Sequence, residues 1–334
     1  MSDRETLIRP LEAMPLGSWN LTINGSADIW QNQDNVQKLN NNIKKIYDEI
    51  HANLPGICIL KAVIFSNQFR DDVFRYQKAL GCGKHLSNPI DGFVVGKTLR
   101  WGNGKIENTY AIVIHPEEIA LGIMQAENSC NAAFAHELGH VFEGLYLRML
   151  YSIDDRVIRC NQWNERSESI AQSVLGECFA QIIAFPYIGK NEYRNHVMLA
   201  VMVLKSTLDD ISSEVFKYRI SHDINFLWQY TLEKISFLYA QFGRSLGIVQ
   251  KVSHGGQCED SIVDDFFESL EEVDPKWRKL VERIFEILNT EEFDYKNMVT
   301  EIGVVIRDSC ELLGVIPNVA HQVENGLWID VPSR

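Results

Sequence analysis

The sequence predicts an α+β fold: a small twisted sheet with an antiparallel edge hairpin, one helix with polar residues set deep in an apolar stretch, and a largely α-helical C-terminal region. Three observations carry that prediction. Helical spacing gives way to a β-like run in the first third, two β-rich runs flank a tight-turn dipeptide, and helical periodicity then continues to the C-terminus. In order, Val36, Leu39, Ile43, Ile46 and Ile50 recur at helical spacing, and the run from Gly56 to Phe65 reads as a strand. Phe93–Thr98 and Thr109–His115 are rich in Val, Ile, Phe and Tyr, and Asn103-Gly104 between them suits a hairpin turn. After His115-Pro116 the pattern is helical through Met149, and a polar stretch around Asp154 to Asn164 reads as a loop. Further helices are expected over Ser167–Phe185, Asn191–Ser213, Ser221–Leu246, Pro275–Leu288 and Met298–Leu313, so the second half reads as entirely α-helical.

Two regions are expected: residues 1–250, carrying the sheet, the polar-centred helix and a helical lower lobe, and an acidic helical region over 251–334. The chain has 334 residues, 46% hydrophobic and 23% charged, a globular composition with material for a sizeable core. Its net charge of -13 argues against nucleic acid as a partner, since phosphate binding needs a basic footprint. From Gly255 to Arg334 there are 18 acidic and 7 basic residues, net -11, which leaves -2 for everything before. That acidity is first a solvated helical surface and second a docking face for a basic protein. MSDRETLIRP lacks the basic start and apolar core of a secretory signal, and no apolar run reaches the roughly 20 residues of a membrane helix. The seven cysteines are odd in number and form no C-x-x-C pair, so reduced thiols and a cytoplasmic, membrane-free location are expected.

The chemistry concentrates in AAFAHELGHVFEG, Ala132–Gly144. Residues four apart share a helix face, so His136 and His140 can present both imidazoles to one zinc ion at about 2.0–2.1 Å. Glu137, beside them, is placed to take a proton from metal-held water as general base. Gly139 has no side chain to crowd an approaching element, and the small apolar neighbours suit a buried helix. Two histidines and a glutamate in such surroundings are costly to bury without partners, and a metal provides them.

A catalytic zinc takes three protein ligands and keeps one open position. No histidine follows at H-E-x-x-H-x-x-G-x-x-H spacing, so the third ligand is sought among carboxylates. In SVLGECFAQIIAFP, Ser173–Pro186, Glu177 is the only charged residue, and among Leu175, Phe179, Ala180 and Ile183 it would be desolvated unless paired or metal-bound. Glu168 is the competitor. Gln181, one turn after Glu177, is positioned to hydrogen-bond a ligand, Glu143 can steady a histidine or face solvent, and His115 reads as a non-ligand. Lys84-His85, in a glycine-rich stretch, lacks phosphate-loop spacing.

HELGH on a helix, followed 37 residues after His140 by ECFAQIIAF, resembles the gluzincin class of zinc metallopeptidases. Within that class it is similar to anthrax lethal factor-like catalytic domains, and FAQIIAFP is also similar to the HExxH regulator proteases that cut phage-type repressors. The likeness spans Ala132–Pro186. It implies a zincin-like catalytic domain with His136, His140 and Glu177 as zinc ligands and Glu137 as general base. It further implies a polypeptide substrate laid along an edge strand, for which Thr109–His115 is the expected strand. Lethal-factor-like enzymes place a tyrosine shortly before the third ligand to stabilise the transition state. Ile170 stands there in this chain, which leaves Tyr151, Tyr187, Tyr193, His196 and His222 as candidates. The expected activity is a zinc endopeptidase with a narrow intracellular protein substrate. The rivals are a zinc hydrolase of a non-peptide amide and a non-catalytic helical interaction protein with a relic site.

Overall fold

Four strands and the helices around them build the first part of the chain, and helices with one short hairpin build the rest. The computed structural model describes residues 3–14, 18–54, 60–81, 95–102, 109–151, 163–254, 260–290, 294–323 and 326–331. By contact the chain divides into two units, Met1–Asp155 with Phe179–Lys190, and Arg156–Cys178 with Asn191–Arg334. The boundary expected at 250/251 falls inside a helix. Among the described residues no helix is long and apolar enough to cross a membrane.

Unit 1 begins with two short helices, α1 (Asp3–Leu7) and α2 (Arg9–Glu12), then β1 (Asn20–Asn24) and α3 (Gln33–Asn53). Asn32 caps α3 by accepting the Asp34 N–H at 2.9 Å, and the expected apolar stripe Leu39, Ile43, Ile46 and Ile50 is its buried face. Next come β2 (Leu60–Ser66), α4 (Phe69–Leu80), β3 (Lys97–Gly102) and β4 (Thr109–Pro116). The sheet order is β1-β2-β4-β3; β1, β2 and β4 are parallel, and β3 is antiparallel to β4. Both faces are covered, which is why β2 is buried along its whole length and β4 reads as one apolar run. One face packs Leu60, Val63, Phe65, Ala111 and Val113 under α3 and the two helices that follow β4, α5 (Glu117–Gln125) and α6 (Asn128–Tyr151). The other packs Ala62, Ile64, Leu99, Trp101, Ile112 and Ile114 against α1, α2 and α4.

A hairpin is present, with Gly102 opposite Thr109, but its first strand runs over Lys97–Gly102 where Phe93–Thr98 was expected; Phe93, Val94 and the Asn103-Gly104 turn lie outside the described residues. One expectation is corrected. The strand over Thr109–His115 is interior, bonded on both sides, and β3 is the edge, because the fourth strand of the sheet pairs with β4 from outside. The single helical stretch expected up to Met149 is two helices, broken where Ala126 takes the left-handed conformation at φ 62°.

The last strand pair and the remaining helices belong with α7 (Trp163–Ala184), one unbroken helix whose residues up to Cys178 cluster with unit 2 and whose end clusters with unit 1. Pro186 ends it in a 3₁₀ turn. Unit 2 continues with α8 (Tyr193–Ser221), α9 (Ile224–His254), α10 (Asp260–Val273), α11 (Pro275–Leu288) and α12 (Tyr295–Leu313). Asp274 and Asp294 cap α11 and α12 from their side chains. The buried centre holds Trp163, edge-on to Trp228, with Tyr239, Phe242, Phe266 and Trp277. The C-terminal region is not entirely helical: β5 (Ile316–Val323) and β6 (Gly326–Asp330) form an antiparallel pair. Gly314, left-handed at φ 70°, stops α12 and turns the chain into β5. Cys130, Cys178 and Cys310 are free thiols, and the other four cysteines lie outside the described residues.

Candidate metal centre

α6 is apolar around most of its circumference. Ala132, Phe134, Ala135, Leu138, Val141 and Phe142 are buried, so the helix carries His136, Glu137, His140 and Glu143 into the protein interior. His136 is 8% exposed and Glu137 7%, and His140 is partly exposed. One turn apart, the two imidazoles meet edge to face with ring centres 4.8 Å apart and planes at 89°.

Hydrogen bonds set the ring nitrogens. His136 Nδ1 lies 3.1 Å from Gln181 Oε1, an acceptor only, so Nδ1 donates. His140 Nδ1 donates to Glu143 Oε2 at 3.3 Å. Both rings therefore keep Nε2 as the nitrogen with a lone pair, the arrangement found where an outer amide or carboxylate orients a metal-binding imidazole. Gln181 reaches His136 because α7 crosses α6 at very close range: a Cβ on Gly139 would lie 2.6 Å from Ala180 Cα. Any side chain at that position would push the helices apart.

Glu177, partly buried on α7, accepts from Arg244 Nε of α9 through Oε2 at 2.7 Å. His136, His140 and Glu177 each offer one ligand atom, and all three atoms lie within 4.8 Å of one another. They are the only such group among the described residues. Four-coordinate zinc, with bonds of about 2.0–2.1 Å, sets its ligands about 3.4 Å apart. The donor set can hold such an ion. Two imidazoles and a carboxylate suit zinc and other borderline divalent ions alike. Glu168 stands elsewhere, its Cγ 3.4 Å from a Cβ built on Gly303 of α12.

Glu137 is held from the sheet. Thr98 Oγ1, on β3, lies 2.7 Å from Glu137 Oε2 and 2.8 Å from the Glu137 carbonyl oxygen, and shares its one proton between these acceptors. Burial raises the Glu137 carboxyl, but the imidazoles of His140, His136 and His115 and the Thr98 hydroxyl outweigh it and bring it below the ordinary carboxylate value. His115 is fully buried between Phe65 and Phe134 and donates from Nδ1 to the Val95 carbonyl at 2.5 Å. Burial lowers its pKa, against the nearby Glu137 carboxylate, which raises it, and its Nε2 has no hydrogen-bond partner among the described residues.

Sequence reasoning gathered His136, Glu137, His140, Glu177, Gln181 and Glu143. It missed Thr98, Arg244 and the role of His115 in fixing the chain ahead of β3. No local pattern marks Thr98 or Arg244, since each arrives from a separate element. Among the residues considered for transition-state stabilisation, Tyr187 donates to Glu49 at 2.8 Å, Tyr193 is buried in unit 2, and His222 ends α8 exposed in the left-handed conformation. His196 is close enough to feel the charges of Glu192 and Arg244. The side chain of Tyr151, and Lys84 and His85, lie outside the described residues.

Compared with models of known protein families, with characterised proteins and with solved structures, the chain matches none.

Proposed function

We propose that the chain is a zinc-dependent endopeptidase of the gluzincin type, with a zincin-like catalytic domain, acting on a polypeptide in the cytoplasm. The observation that carries the reading is the His136, His140 and Glu177 cluster, with both histidine Nδ1 atoms already engaged by Gln181 and Glu143 and with Glu137 buried beside them. His136 and His140 would bind through Nε2 and Glu177 through a carboxylate oxygen. A zinc ion held there supplies Lewis acidity, polarising a carbonyl and lowering the pKa of water.

Glu137 supplies the proton chemistry. Its carboxylate takes a proton from the attacking water at Oε1 or Oε2 as the C–O bond forms, then returns it to the amine nitrogen, and the peptide C–N bond breaks. Thr98 and the buried surroundings fix the carboxylate. β3, the edge strand, is the place where an extended peptide would add as a further strand, and it sits directly beside Glu137.

The test is cleavage of a mixed peptide library, screened alongside small amides. The reading expects peptide cleavage that Glu137→Gln lowers by at least about 1,000-fold while metal content stays unchanged. Cleavage of small amides alone would make the chain a hydrolase of another class. Bound metal with no hydrolysis would favour a metal-binding interaction protein working through its acidic C-terminal region.

A further inference from the structure

We propose that Thr98, on the edge strand β3, is a positioning residue for Glu137, and that His115 and Gly96 set it in place. The inference rests on the assignment of Glu137 as general base. The contact crosses 39 residues of sequence, so it comes from the fold and not from the motif.

A glutamate on a helix has three side-chain torsions, and the terminal one is broad. A general base needs its oxygen within a few tenths of an ångström of one place. The Nδ1 atoms of His136 and His140 bond Gln181 and Glu143, not Glu137. The constraint comes from the sheet. Thr98 Oγ1 is 2.7 Å from Oε2 and 2.8 Å from the carbonyl oxygen of the same residue, so one β-branched side chain, stiff at χ1, grips both ends of Glu137. The second contact comes from Gly96, where a Cβ would lie 2.5 Å from Glu137 Cγ. Only a glycine lets the backbone lie flat on that side chain.

The segment leading into β3 needs an anchor of its own, and His115 on β4 provides it. Its Nδ1 bonds the Val95 carbonyl, one residue before Gly96, while Phe65 and Phe134 fix the ring plane. This gives a purpose to a fully buried histidine that stands outside the His136, His140 and Glu177 group. The chain His115, Val95, Gly96, Thr98 and Glu137 runs from the middle of the sheet to the reacting carboxylate, entirely within unit 1.

The test compares Thr98→Val, which keeps shape and removes the hydroxyl, with Thr98→Ser, which restores it. Thr98→Val is expected to bind metal as wild type does and to keep KM within about twofold, while kcat falls about 10- to 100-fold, the range of a lost orientation. Thr98→Ser is expected to recover kcat to within about threefold. An unchanged kcat in Thr98→Val, or a loss that serine does not relieve, overturns the proposal. Thermal unfolding of Thr98→Val in wild-type and Glu137→Ala backgrounds gives a reading free of activity. Positioning predicts a midpoint loss in the first background that shrinks by at least half in the second, and equal losses in both overturn it. If the wild type hydrolyses nothing, the endopeptidase assignment fails, and this cycle still decides whether Thr98 holds Glu137.

Discussion

Two glutamates on consecutive helices, Glu117 at the start of α5 and Glu137 in the middle of α6, are equally buried, at 6% and 7% exposure, and differ in what surrounds them. Glu117 accepts the backbone N–H groups of Ser26 and Ala27, each at 3.1 Å, the Trp30 indole at 2.6 Å and the Ser26 hydroxyl at 3.4 Å. Every donor is fixed by the fold, and the carboxylate ties the chain after β1 to α5. Glu137 is surrounded by one hydroxyl and by imidazoles, groups that exchange protons or bind metal. Burial of a carboxylate therefore carries no functional meaning alone. What separates the two is whether the partners are saturating backbone donors or groups with chemistry of their own.

The comparison can be broken from either side. The largest effect is expected at Glu177: replacing it with alanine removes a proposed ligand and is expected to lower metal affinity by more than about 100-fold, beyond the range for outer contacts, as titration against a competing chelator would measure. Replacing Gln181 with leucine or Glu143 with glutamine leaves the ligands in place and frees a ring to turn, so affinity falls about 10- to 100-fold in the same titration.

Glu117→Gln sharpens the contrast, because it is expected to cost about 1–3 kcal/mol in denaturant unfolding at pH 7 and to leave metal binding untouched. Burial raises the Glu117 carboxyl, but the Ser26 and Ala27 amides, the Trp30 indole and the Ser26 hydroxyl outweigh it and leave its pKa below the ordinary 4.5. The sign follows. A folded pKa below the unfolded one contributes stability that is complete above the unfolded value and lost as pH falls through the folded value. The gap between wild type and Glu117→Gln should close as unfolding is followed downward from about pH 4.5. A gap that widens in acid would contradict this account. The smallest effect is expected from Gly139→Ala, about 1–2 kcal/mol of overpacking where α6 meets Ala180, with a matching drop in thermal midpoint.

The same contrast explains what the sequence disclosed. His136, Glu137 and His140 sit within one turn of one helix, so their association is local and spacing alone reveals it. Glu177 was legible through its neighbours, as a lone charge in an apolar helix. Gln181 followed from helical spacing, one turn after Glu177. Thr98 and Arg244 left no trace, since a hydroxyl on a strand and an arginine on a helix are ordinary until tertiary packing aims them. The fold behaved alike. α11 was read to the residue from its helical periodicity, and α3 from its apolar stripe. β1 passed unnoticed because its five residues, Asn20–Asn24, begin and end in asparagine, and only pairing with β2 makes them a strand. The edge strand was misplaced for a related reason: β3 and β4 both carry β-forming residues, and strand order is a property of the sheet that neither run encodes by itself.

The most direct measurement is the metal content of the purified chain, by mass spectrometry, for wild type beside His140→Ala, Glu177→Ala and Glu168→Ala. The account predicts close to one zinc per chain in the wild type and in Glu168→Ala, and near-complete loss in His140→Ala and Glu177→Ala. A wild-type chain that takes up no metal when zinc is supplied would contradict it, and so would an equal loss from Glu168→Ala.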